Sequence, residues 1–447
     1  MVRENTHQEG PDPIPETTIL DAAGDAALPE MGVIEQVWET DPIPPREIAE
    51  RAATAVDEFD LDGVPTGGSV AIGAGSRGIA NIASIVHGVV TRLGDLGYEP
   101  FVFPAMGSHG GAVAEGQREM LNSLDMNEAT LGCEIRATME TVVIGETAER
   151  DIPVHVDANA AGADAIVPIN RIKPHTDFQG DVESGLSKML VIGMGKQRGA
   201  KTAHKWAADW SLRNMIPEIA SRILDKLPVI GGVAVVEDEH DETDVIEGVP
   251  PSGFLDREAE LLNYAYDRMP TLPFDEIDTL VVDRQGKDVS GSGMDTNVIG
   301  RMVYGFEPEP QTPSIKRIFV RGLTEVSHGN ATAVGSADVI HADLYTDIDL
   351  ADTFVNALTS STIAGARIPA PVETDRAGLV VCLSTIGVTP PSEVQVARIR
   401  DTMHLERIEA STALVEAARE RDDLRVVEEP SSMQFDDGQF ERNILDP

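Results

Sequence analysis

Short, nearly uninterrupted apolar runs recur along the chain. Each leads through a glycine-rich or polar turn into a stretch whose apolar positions return every three to four residues. GSVAIGAG (68–75) predicts a buried strand closing on glycines, and IANIASIVHGVVTRLGDLG (79–97) predicts a helix that stops at Gly97. YEPFVFPAMG (98–107) predicts a second strand, followed by the loop SHGGA and a helix from Glu115 to Leu124. Further on, ADAIVPINRI (163–172) and VIGGVAVVED (229–238) read as strands, and WSLRNMIPEIASRILDKL (210–227) reads as a helix despite Pro217. Beyond the Pro-rich DRMPTLPF (267–274), the segments IDTLVVDR, IKRIFVRGL, SADVIHADL and RAGLVVCLSTIG are strand candidates. Strands that are apolar throughout, alternating with amphipathic helices, are the pattern of parallel sheets covered on both faces. The expectation is therefore α/β: two α/β domains with mainly parallel sheets and an active site in the cleft between them. The boundaries predicted are a loosely held N-terminus over 1–30, a first domain over 31–268, a second over 269–427 and an acidic tail over 428–447. No internal repeat is visible.

Charge narrows the class. Against 76 Asp and Glu stand 35 Lys and Arg, a net charge of −41, while 41% hydrophobic residues suffice for a real core. An acid-rich, lysine-poor globular chain is the pattern expected of an enzyme from a high-salt (halophilic) cytoplasm, where salt screens self-repulsion. The same field opposes nucleic acid and anionic membrane as partners. With two cysteines there is no disulfide scaffold, and Cys133 and Cys382 both lie in apolar, strand-like runs where thiols are inert. The polar, Pro-rich start and the lack of a bilayer-length apolar run predict a cytoplasmic protein.

One segment departs from this charge pattern. Five of the eight lysines (Lys173, Lys188, Lys196, Lys201 and Lys205) fall within residues 172–205, and with Arg198 they outnumber the local acids Asp177, Asp181 and Glu183. A local excess of cations in so acidic a chain predicts an anionic ligand. Three motifs sit at predicted strand ends, where open α/β sheets place ligands. GAGSRG (73–78) is formally a phosphate- or carboxylate-binding turn. Its Arg77 is either a bidentate carboxylate clamp or an ordinary turn arginine. MGSHGGA (106–112) sets His109 among glycines that would let a ligand approach the backbone. In the lysine-rich segment His175, Lys188 and His204 follow a strand, joined by GLSKMLVIGMGK, whose glycines alternate with apolar residues as a tight backbone around a flat cofactor would. Histidines offer proton transfer near neutrality and metal ligation, and a retained lysine offers a phosphate clamp or a nucleophile. KDVSGSGMDTNVIGR (287–301) is a further polar loop after a strand.

PAMGSHGGA, KPHTDFQGDVESGLSKMLVIGMGK and AKTAHK together make the chain, over residues 40 to 425, resemble the nickel-pincer-nucleotide-dependent lactate racemases and their relatives acting on other 2-hydroxy acids. The resemblance implies a racemase or epimerase of a 2-hydroxy acid, lactate-like or a sugar acid. In such an enzyme the α-hydrogen leaves as hydride to the cofactor and returns to the other face. It implies the pincer nucleotide held covalently on Lys188, nickel ligated by His204, His109 and His175 as the acid/base pair, and Arg77 on the substrate carboxylate. Cofactor-biosynthesis proteins are the partners it implies. The chain carries GAGSRGI where those racemases carry an acidic DDxTRP-type motif, which leaves the particular hydroxy acid open. From the residues alone two other readings stand. One is a metal-dependent hydrolase or lyase built on His109, His175 and His204, with Asp177 or Glu183 as base. The other is a nucleotide-binding module without catalysis.

Overall fold

The structure is a computed structural model that describes residues 12–24, 27–76, 78–302 and 307–441. The chain divides into two compact units, one formed by residues 39–269 and the other by 1–38 together with 270–447. Both are α/β with mainly parallel sheets.

The unit 39–269 is built on a six-stranded sheet. Its order is Glu134–Ile135, Glu99–Pro104, Ser69–Ala74, Ala165–Arg171, Gly232–Glu237 and Thr243–Val249, parallel except for the last strand. Alternate residues of each central strand enter opposite cores. Val70 and Ile72, Val102, Val167 and Ile169 face one side, and Ala71, Phe101, Phe103 and Ile166 face the other. Because both faces are covered, the strands are apolar throughout. Helices Ile48–Ala55 and Ile82–Asp95 cover the first face, Leu212–Lys226 and Phe254–Arg268 the second. In Ile82–Asp95 the buried positions Ile82, Ile85, Val86, Val89, Val90 and Leu93 have helical spacing. Gly88 lies on the same face because a Cβ there would come 2.2 Å from the carbonyl oxygen of Ala49.

The second unit carries an eight-stranded sheet. Ala370–Val372, Val339–His341, Ser314–Val320, Glu276–Val282 and Val396–Ile399 are parallel, followed by antiparallel Arg407–Ser411, Glu30–Gln36 and Leu424–Ser432. Three expectations are corrected here. The first domain does not begin at residue 31, because strand Glu30–Gln36 fills a slot between two C-terminal strands. Nor is the N-terminus loose over its described part: Ile14 bridges to Val372 and helix Glu16–Ala23 packs on helix Asp375–Ser384. The acidic tail is ordered through the hairpin Phe435–Asp436 and Gln439–Phe440, whose Phe440 N–H donates to Asp375 Oδ2 at 2.9 Å.

RAGLVVCLSTIG is also a helix, Asp375–Ser384, and not a strand. Thr374 accepts from Ala377 N as its N-cap, and an apolar run this short fits either element. Both thiols are free, and desolvation pushes Cys133 up to about 11 and Cys382 up to about 12. No helix among the described residues is long and apolar enough to cross a membrane.

Candidate functional site

In the unit 39–269 the chain runs from strand 69–74 outward to 99–104, and from 165–171 outward the other way to 232–237. The strand order therefore reverses between 69–74 and 165–171, and beyond the carboxyl ends of such strands the loops splay apart and leave a crevice. Ser76, the His109 loop and the segment from Lys173 to Lys188 all leave the sheet at this edge.

His175 and Lys188 meet there, with Lys188 Nζ against His175 Nε2. Several contacts fix the ring. His175 N–H donates to Glu183 Oε2 at 2.5 Å, the ring stacks on Phe178 with centroids 4.7 Å apart, and Nδ1 accepts from Asp177 N at 2.9 Å. These contacts leave Nε2 as the ring nitrogen that faces Lys188. Glu183 is buried and also accepts from Gly180 N at 3.0 Å and Tyr266 Oη at 2.9 Å. Desolvation raises its pKa to about 7 against the pull of these donors.

Lys188 ends one α-turn, Leu186–Lys188, that passes directly into a π-helical turn, Met189–Gly193. Glu258, fully buried on helix 254–268, caps that turn. Its carboxylate accepts from Ser187 N at 3.0 Å and from Ser187 Oγ at 2.5 Å, and its pKa is raised by desolvation to about 7. Gly185 has no side chain because a Cβ would lie 2.1 Å from Glu258 Oε1. His204 follows on helix Lys196–Trp210. Desolvation lowers its pKa, Lys188 lowers it further and Asp177 opposes both, so the ring is held neutral near pH 7, the form that ligates a metal.

His109 lies in a different part of the same edge, its Nδ1 against Ser76 Oγ. Its loop turns through left-handed backbone at Gly107, Gly110 and Gly111, with φ of 60°, 64° and 66°. The glycines thus serve the turn itself. The glycines of GLSKMLVIGMGK are likewise accounted for by packing. A Cβ at Gly193 would lie 2.5 Å from Ala105 O, and one at Gly195 would lie 2.4 Å from Val191 O.

Arg77 lies outside the described residues. Between the GAGSRG turn and its helix, Ala80 N already donates to Glu237 Oε1 at 2.6 Å, and Glu237 is paired with Arg171. Among the described residues no three His, Cys, Asp or Glu side chains are gathered to hold a metal ion, so the three histidines do not form such a set. A centre with a single protein ligand needs none. Glu258 and Tyr266 were missed in the sequence. Both lie on a helix far along the chain, whereas Glu183 stood out as an acid in a basic segment and a candidate base, not as the support of His175.

No protein-family profile matches the chain, and no curated protein does. Several solved structures resemble it, two of which follow. A structural-genomics target from Thermotoga maritima is 14% identical with a TM-score of 0.48, over 80% of this chain and 94% of that one. The lactate racemase apoprotein from Thermoanaerobacterium thermosaccharolyticum is 12% identical with a TM-score of 0.43, over 83% of this chain and 88% of that one. Likenesses this distant carry no activity to the chain.

Proposed function

We propose that the chain is a racemase or epimerase of a 2-hydroxy acid that works with a nickel-pincer nucleotide held covalently on Lys188. The observation that carries the reading is the juxtaposition of Lys188 with His175 Nε2, beside a neutral His204, at the edge where the strand order reverses. The residues fit the group. Lys188 is a half-buried amine on a capped turn, and acylating it removes the cation that presses on His204. His204 supplies the one protein ligand such a nickel needs, and cofactor-biosynthesis proteins would load Lys188. When bound, the group takes up the α-hydrogen as hydride and returns it.

The chain's own part is orientation and proton transfer. His175 acts as acid and base toward the hydroxyl of one enantiomer through Nε2, the ring nitrogen that faces Lys188. His109, from the neighbouring loop, does the same for the other enantiomer, and Arg77 holds the carboxylate. Racemisation needs two general bases on opposite faces, where a one-way dehydrogenase needs one.

The test uses protein from a host able to make the cofactor, a panel of single-enantiomer 2-hydroxy acids and a chiral readout. His175→Ala should lower turnover by at least about 100-fold, the range for removing a general acid/base, while nickel content stays at the parent level. Loss of nickel from His175→Ala would make that histidine a ligand and overturn its assigned role.

A further inference from the structure

Lys196 contradicts the expectation that the clustered lysines gather to meet a ligand. It is completely buried, in a chain with eight lysines, and has φ of +54°, a backbone region disfavoured for any residue with a Cβ. Its Nζ lies 3.0 Å from Asp157 Oδ2, donates to Pro104 O at the end of strand 99–104, and donates to Gln117 Oε1 at 3.1 Å. Asp157 is also fully buried, and its Oδ1 accepts from Asn159 N and Ala160 N at 2.8 and 3.1 Å. Gln117, buried on helix Ala114–Ser123, turns its amide N–H groups back onto the His109 loop. Nε2 donates to Gly107 O at 3.0 Å and to His109 O at 3.2 Å. The loop is also tied to the π-helical turn, with Gly107 N donating to Gly193 O at 3.0 Å.

These contacts run in one direction, from a buried ion pair through a single amide to the two carbonyls that set where His109 stands. Lys196 is the first residue of the helix that carries His204 and is joined to the turn that carries Lys188 through the π-helical turn Met189–Gly193. We propose that Asp157, Lys196 and Gln117 form a positioning relay that fixes the His109 loop against the segment bearing Lys188 and His204, with Gln117 as its acting end. A buried ion pair is weak support for stability in itself, since desolvation offsets the attraction. Setting the geometry of an otherwise glycine-rich loop is a role it can fill. The proposal rests on the reading of His109 as a proton-transfer group, and its test is chosen to be separable from that reading.

The full-length protein is compared with Gln117→Met, which removes both the acceptor for Lys196 and the donors to the loop. It is compared also with Gln117→Glu, which keeps the acceptor and loses the donors. Amide hydrogen exchange over residues 105–113 should rise roughly tenfold in both variants, as expected for losing one or two buried hydrogen bonds, with strands 69–74 and 99–104 unchanged. In the cofactor-loaded enzyme kcat should fall while nickel content and KM hold. Lys196→Met, if it folds, should show the same local loosening.

Unchanged exchange over 105–113 in folded Gln117→Met would overturn the proposal, as would a uniform rise through the sheet or parent-like behaviour of Gln117→Glu. Exchange does not depend on turnover. A loosened loop in a protein that turns over no hydroxy acid would sink the functional reading and leave the relay standing. An unmoved loop in an active enzyme would do the reverse.

Discussion

At Glu258 a buried carboxylate holds the turn that presents Lys188, and its ionisation is coupled to folding. Its pKa rises from 4.5 in the unfolded chain to about 7 in the fold. A raised folded pKa means the native state binds the proton more tightly, so this stabilisation is complete below about pH 4.5 and lost as pH rises through about 7. Glutamine does not titrate. The parent, followed by denaturant unfolding, should therefore lose stability relative to Glu258→Gln steadily from about pH 4.5 to about pH 7. A difference that does not vary with pH would show that the carboxyl does not titrate there. Glu258 also marks what the sequence withholds at this scale. His109 stood out as a titratable residue set among glycines, and His175, Lys188 and His204 because they fall in the one cation-rich segment of an acidic chain. Their supports did not, because each is an ordinary residue made special by a partner far along the chain. Gln117 and Lys196 are 79 positions apart, and Ser187 and Glu258 are 71.

Elements were legible where period and length agreed, and misread where a short apolar run fitted two periods. Strands 69–74, 99–104 and 165–171 and helix 82–95 lie where their patterns put them. The LVVC run went the other way because its cap, Thr374, outweighs four apolar residues that fit either element. GLSKMLVIGMGK was read as alternation, whereas it is one α-turn and a π-turn whose glycines relieve contacts with Glu258, Ala105 and Val191. Gly88 is a case where packing opposes propensity. Alanine would gain about 1 kcal/mol of helix propensity over glycine. Its Cβ, however, would press on the Ala49 carbonyl at 2.2 Å, and backbone cannot swing aside. Gly88→Ala should therefore destabilise the protein by about 1–3 kcal/mol, the usual range for overpacking. An unchanged or raised denaturation midpoint would show that helices 48–55 and 82–95 separate freely.

Across the whole molecule, two α/β units were foreseen from the alternation of strands and helices, but not the path of the chain between them. Strand 30–36 completes a sheet made otherwise of residues beyond 270, since strand pairing depends on matching edges and not on proximity in sequence. The C-terminal hairpin is held because Phe440 lies over two guanidiniums, Arg321 at 5.0 Å and Arg398 at 4.2 Å, themselves paired with Asp283. The surplus of 41 negative charges calls for handling the protein in high salt, where repulsion between exposed carboxylates is screened. Under those conditions, and from a host that makes the pincer nucleotide, peptide-level mass analysis with metal determination tests the central claim most directly. The account predicts nickel together with a nucleotide-sized adduct on the Lys188 peptide, both lost in Lys188→Ala. An unmodified Lys188 in protein from such a host, or unchanged nickel and full activity in Lys188→Ala, would contradict it.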